Sequence, residues 1–163
     1  MSATDDLIAN NRGYAESFTQ AAAPGRPSRA VAVVACMDAR MDVYALLGLA
    51  PGEAHVFRNA GGAVTEDALR SLTVSQRELG TTEVILVHHT KCGMQTFTDD
   101  GFKTEVAAET GIRPAWATEA FTDADADVRQ SIGRVRACPF LPHRDSVRGF
   151  VYDVSTGQLR EVS

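Results

Sequence analysis

From residue 30 onward the chain alternates short, mostly apolar runs with longer stretches whose apolar positions recur every three or four residues. The runs are AVAVVAC (30–36), AHVFRN (54–59), EVILVHH (83–89) and VRGFVYDV (147–154), short and rich in β-formers, as expected of strands. Between them TEDALRSLTVSQRELG (65–80) puts Leu69, Leu72, Gln76 and Leu79 on one helical face, with Thr65 as N-cap, Glu66 and Asp67 at the positive end and Gly80 as the stop. A second helix is predicted from near Thr122, burying Val128, Ile132 and Val135 and ending before Pro139. TGQL (156–159) reads as a turn into a short C-terminal edge strand. Strands alternating with helices, and apolar on both faces, predict an α/β fold: a mainly parallel β-sheet flanked by helices.

The pattern is different at the N-terminus. In DDLIANNRGYAESF (5–18), Leu7, Asn11, Tyr14 and Phe18 form a narrow stripe on a polar amphipathic helix, and PGRPS (24–28) then breaks the chain. Residues 1–29 therefore read as a helical arm and linker on a single domain spanning 1–163, with a stripe expected to cover something, such as a partner subunit.

Composition narrows the function classes. With 44% hydrophobic residues over 163, one core can form without disulfides. No run approaches the roughly 20 apolar residues of a membrane helix, and MSATDDL is acidic where a secretory signal is basic and then apolar, so a cytoplasmic protein with no membrane partner is expected. A net charge of -5 disfavours nucleic acid, whose phosphates call for a basic face. Three cysteines suit thiols, nucleophiles or metal ligands better than a disulfide framework.

Chemistry gathers where strands end. The first strand closes in ACMDAR, which carries Cys36, Asp38 and Arg40, and the third runs into HHTKCG, which carries His88, His89 and Cys92. Ligands of open parallel sheets collect beyond the carboxyl ends of strands, so both groups are expected at one edge. Cys36, His89 and Cys92 form the thiolate and imidazole set that zinc takes in a catalytic site, where three protein ligands leave the fourth position open. His89 is preferred to His88 because H-x-x-C lets a strand end and the following turn converge on one ion, while His88 lies on the opposite face. The ordinary alternative for each element alone is a pair of buried thiols and core histidines.

Together, C-x-D-x-R after one strand and H-x-x-C after another resemble the β-class carbonic anhydrases, and the likeness continues through RNAGG and GFVYDVSTGQL. The HHTKCGM wording is most similar to compact bacterial and mycobacterial-type members. The resemblance implies reversible hydration of carbon dioxide to bicarbonate by attack of zinc-bound hydroxide, with one zinc per chain held by Cys36, His89 and Cys92. It also implies a homodimer or an assembly of dimers. Asp38 and Arg40 match the acid and base beside the metal. Two thiolates cancel the ion's charge and weaken it as a Lewis acid, so a carboxylate that accepts the water's hydrogen bond is useful, with Arg40 holding Asp38 ionised. Some relatives instead close the carboxylate onto the zinc, and the sequence leaves both forms open.

RNAGGAVTED, including Gly61, offers backbone N–H groups that suit an anion such as bicarbonate, or serves simply as a strand-to-helix turn. Gly93 is expected to let backbone approach the substrate closely. Val33 stands where some relatives carry a tryptophan of an inhibitory bicarbonate site, so that regulation is not expected. Lys91 replaces an acidic residue of several relatives. DADAD (123–127) resembles a calcium loop but has Val128 and Arg134 at the sixth and twelfth positions, and fits a helix start better. Cys138 is expected to be structural, His88 is a candidate proton shuttle, and His55 and His143 have no assigned role. Two rival functions remain: hydrolysis of carbonyl sulfide or carbon disulfide at the same site, and a non-catalytic zinc or redox protein.

Overall fold

The computed structural model describes residues 2–19 and 25–163. Pro24 of the PGRPS break, with the rest of 20–24, lies outside them. Five strands form one sheet: β1 (Val31–Cys36), β2 (Ala54–Asn59), β3 (Glu83–His89), β4 (Val147–Tyr152) and β5 (Leu159–Val162), in the order β2-β1-β3-β4-β5. The first four are parallel, and β5 pairs antiparallel to β4 as the edge strand that TGQL led one to expect.

The helices are α1 (Ala3–Glu16), α2 (Val43–Leu47), α3 (Glu66–Arg77), α4 (Asp99–Thr110) and α5 (Ala124–Ala137). Local chemistry sets their ends. The Thr65 side chain accepts from Ala68 N at the start of α3, and Asp123 accepts from Asp125 N and Ala126 N at the start of α5, so DADAD is a helix start. α4 and the five-residue α2 escape the sequence reading. α4 buries no residue, so its apolar positions carry little periodic signal, and α2 is little more than one turn.

The two faces of the sheet are covered unequally. Ala32, Val34, Val84 and Leu86 pack with Leu72 of α3 and Val135 of α5 in one cluster. Val33, Ala35 and Val87 face a second cluster built from Val43 of α2, Met41, Met94 and Phe121, around which Val31, Val56 and Ile85 stay only partly buried. Residues on alternate sides of one strand thus enter separate clusters, as the pleat requires. α1 starts two residues earlier than expected because Ser2 and Asp5 form a reciprocal capping box, and it buries nothing. Leu7, Tyr14 and Phe18 of its stripe are exposed, so no described part of this chain covers it. No described helix is long and apolar enough to cross a membrane.

β4 lies so close to α5 that a Cβ on Gly149 would come within 2.2 Å of Val128 Cγ1 and 3.0 Å of Ile132 Cδ1. Gly149→Ala is therefore expected to destabilise the fold by about 1–3 kcal/mol through overpacking. Gly133→Ala, on the exposed side of α5 with nothing within 4 Å of the added carbon, is expected to stabilise it by about 0.4–1 kcal/mol. Urea unfolding of both variants measures the contrast.

Candidate metal centre

Strand order reverses about β1, which has β2 on one side and β3 on the other, so the carboxyl ends of β1 and β3 flank the switch point where α/β sheets bind ligands. Cys36 is the last residue of β1 and His89 the last of β3, with Ala35 and Val87 paired just before them. After His89 the chain turns sharply. Lys91 takes a left-handed conformation at φ 56°, and the 3₁₀ turn Gly93–Gln95 follows, fastened by Cys92 N donating to Gln95 Oε1 and Gln95 Nε2 donating to the Thr122 carbonyl. That turn carries Cys92 back to the strand ends.

Cys36, His89 and Cys92 are all buried, and their donor atoms lie within 4.8 Å of one another. The sulfurs are 3.9 Å apart, close to the about 3.8 Å that two 2.3 Å zinc–sulfur bonds at a tetrahedral angle would set. His89 Nδ1 donates to the Thr90 carbonyl at 2.9 Å, which leaves Nε2 as the lone-pair nitrogen. Nε2 is buried without a hydrogen-bond partner. A buried acceptor grouped with two buried thiols fits a metal ion.

The electrostatics agree. The hydrogen bond from Cys92 pulls the Cys36 thiol well down against its burial, with help from His89, while the Cys36 sulfur and burial push the Cys92 thiol up. The pair therefore retains one proton when no cation is bound. Burial disfavours a charged His89, yet the Cys36 sulfur and the Thr90 carbonyl raise its pKa overall. A divalent cation beside these donors would favour loss of the remaining thiol proton and the neutral form of His89.

On the open side, Arg40 grips Asp38 in a bidentate pair, with Nε to Oδ1 at 2.8 Å and Nη2 to Oδ2 at 2.7 Å. Arg40 N also donates to Oδ1, and Nη2 reaches the Lys91 carbonyl at 3.0 Å, tying this pair to the turn that bears Cys92. Hydrogen bonds from Arg40 hold the Asp38 carboxyl far below the usual carboxylate range. Asp38 Oδ2 lies 3.6 Å from His89 Nε2, beside the donor cluster. Of the two forms the sequence left open, this structure has Asp38 paired to Arg40.

The remaining sequence candidates separate clearly. His88 is fully buried on the face of Val84 and Leu86, with Nε2 3.0 Å from Asp127 Oδ2 of α5, and does not join the donor cluster. A Cβ on Gly93 would meet nothing within 4 Å, whereas Gly61 is buried and its Cβ would stand 3.3 Å from Met94 Cγ. The glycine packed most tightly against the ligand-bearing strands is one the sequence reading did not separate from its neighbour. At Gly62, with φ 71°, a Cβ would come 2.9 Å from Cys36 N and 3.1 Å from the Val87 carbonyl, so it lets the turn after β2 pass beneath the ligand-bearing strand ends. Lys91 Nζ donates to Ser155 Oγ, Cys138 is buried in the core beside Val135 and Leu141, and His55 Nδ1 is 2.7 Å from Ser75 Oγ. Arg58, which the sequence reading quoted only within AHVFRN and RNAGG, donates to the backbone of the Cys36–Asp38 turn.

Comparison with known proteins agrees with this geometry. The carbonic anhydrase family model matches residues 31–159. The beta-carbonic anhydrase 1 of Mycobacterium tuberculosis is 57% identical over 163 residues, covering 100% of this chain and 99% of its own. A carbon disulfide hydrolase of Acidithiobacillus thiooxidans is 34% identical over 82% of this chain and 77% of its own. Among solved structures, a carbonic anhydrase from Streptococcus mutans superposes with a TM-score of 0.94 at 41% identity, covering 100% of this chain and 99% of that one. A match of this extent, over the strands and turns that assemble the donor cluster, places the chain in the β-carbonic anhydrase family.

Proposed function

We propose that this protein is a zinc enzyme that interconverts carbon dioxide and bicarbonate, with Cys36, His89 and Cys92 as its metal ligands. The observation that carries the reading is the buried three-donor cluster with the Asp38–Arg40 pair on its open side. Three protein donors suit a catalytic zinc, because structural sites are normally closed by four. Bound zinc acts as a Lewis acid that makes a water nucleophilic towards carbon dioxide near neutral pH.

The chain's own groups do the rest. The Cys36 and Cys92 thiolates would balance the ion's charge and hold it at the strand ends. Asp38 stays ionised under its two Arg40 hydrogen bonds, accepts a hydrogen bond from the attacking water and so orients its lone pair. Arg40 fixes that carboxylate and, through the Lys91 carbonyl, keeps it in register with Cys92. Gly93 leaves open space next to Cys92 for close approach of the substrate and its bicarbonate product, whereas Gly61 is filled in by Met94 and Phe121 and serves the packing of the turn after β2.

Carbon disulfide or carbonyl sulfide hydrolysis is the second reading, favoured by the likeness to carbon disulfide hydrolases at 34% identity. The higher identity, 57% over the full chain, lies with a carbonic anhydrase, and carbon dioxide is placed first on that ground. The exposed Leu7, Ile8, Tyr14 and Phe18 support a homodimer in which a second copy covers them. Free thiol ligands suit the reducing cytoplasm.

Purified protein is expected to carry about one zinc per chain, as a three-ligand catalytic site requires, and to hydrate carbon dioxide faster than it hydrolyses carbon disulfide or carbonyl sulfide in parallel assays. Cys36→Ser is expected to lose both metal and activity, and full activity with retained zinc in that variant would contradict the reading. Zinc affinity is also expected to depend on pH. Since the thiol pair keeps a proton without metal and His89 is shifted toward its charged form, binding must expel at least one proton, so affinity should rise at least about tenfold per pH unit through neutrality and fall on acidification. Chelator competition at several pH values measures the slope. Light scattering is expected to give a dimer mass, and the mass of a single chain would remove the homodimer proposal.

A further inference from the structure

The segment from Cys36 to Arg40 has to hold a metal ligand and a catalytic carboxylate in fixed relation, yet little of it is packed. Cys36 and Met41 are buried at 4% and 2% exposure, while Met37 between them is 63% exposed. Polar contacts therefore have to set the shape of the intervening backbone. Met37 N donates to the Asn59 carbonyl at 2.8 Å, which fastens the start of the turn to the end of β2. One residue earlier on β2, Arg58 extends along the same edge. Its Nε donates to the Cys36 carbonyl at 2.8 Å and its Nη2 to the Asp38 carbonyl at 2.6 Å.

We propose that Arg58 is a positioning residue for the hydration reaction, its planar guanidinium clamping the carbonyls of Cys36 and Asp38 so that thiolate and carboxylate are aimed at one point. The inference rests on the reading of this site as a carbonic anhydrase centre. Two carbonyls two residues apart, bound by one rigid fork, leave the intervening peptides little freedom to rotate. An ammonium group presents no such fork. The Asp38 carbonyl also accepts from Met41 N at 3.0 Å, so the clamp continues into the buried end of the segment. Arg58 touches neither the donor atoms nor the Asp38 carboxylate, and it acts through the backbone that carries them. Arg40 fixes the Asp38 side chain from the other direction, and the two arginines divide the work between main chain and carboxylate.

The test uses the full-length zinc enzyme and its Arg58→Lys, Arg58→Met and Arg58→Ala variants. Each is measured for zinc content, melting temperature, carbon dioxide hydration kinetics, and the visible spectrum of the cobalt-substituted form. The proposal expects metal at the wild-type stoichiometry, a loss of about 10–100-fold carried by kcat rather than KM, and a shifted cobalt spectrum. It further expects lysine to be little better than methionine, because charge without the fork does not restore the clamp. Added guanidinium, but not sodium at equal ionic strength, should recover part of the kcat of Arg58→Ala. Wild-type kcat in zinc-loaded Arg58→Lys or Arg58→Met overturns the proposal, and so does a loss that follows melting temperature and does not respond to guanidinium. Absence of hydration by the zinc-loaded wild type would instead refute the underlying functional reading.

Discussion

Two sulfurs 3.9 Å apart in a buried site cannot both ionise unless a cation stands beside them, and much of this molecule's architecture brings about and maintains that approach. The thiols belong to residues 36 and 92, far apart in the chain, and they meet because β1 and β3 are parallel neighbours that end together. Parallel pairing of consecutive α/β units thus serves as a chemical device. It brings the ends of two distant segments to one edge, and the apolar strand bodies, buried among Val33, Val34, Leu86 and Val87, keep those ends from drifting.

Beside this pair the structure leaves a ring nitrogen without a partner. His89 Nε2 is buried and unsatisfied, and with Nδ1 committed to the Thr90 carbonyl it presents its lone pair to the site. Asp38 is held in the opposite state, with both carboxylate oxygens engaged by one guanidinium, so its charge is kept and its position defined. A metal-binding centre needs both conditions: donors held ready for the ion and a neighbouring carboxylate that stays ionised and in place. Hydrogen bonds to the backbone from Arg58 and Gln95, and one from Met37 N to the Asn59 carbonyl, fix the turns in which these groups sit.

The strand bodies and their end chemistry were legible in the sequence because both are local. AHVFRN and EVILVHH coincide with β2 and β3, and Thr65 caps α3 as its position before Glu66 suggested. α4 escaped notice since it buries nothing, and a helix without a buried face leaves no periodic trace. Arg58 escaped for a related reason. It lies in a motif whose glycines drew attention, and nothing in a single sequence tells that an arginine will reach across to the carbonyls of a neighbouring strand. The distinction between Gly61 and Gly62 was equally hidden, because it rests on which of them passes within about 3 Å of β1.

The amino-acid sequence by itself determined which residue types could bind an ion, that they would stand at strand ends, and that a carboxylate and a guanidinium would accompany them. Those features follow from side-chain chemistry and from the period of a strand. The tertiary structure alone decided that His88 faces Asp127 in α5, that Asp38 pairs with Arg40, and that α1 has no covering among the described residues. Each of these depends on how the whole chain packs, the Asp38–Arg40 pair included, since Arg40 Nη2 is also anchored on the distant Lys91 carbonyl.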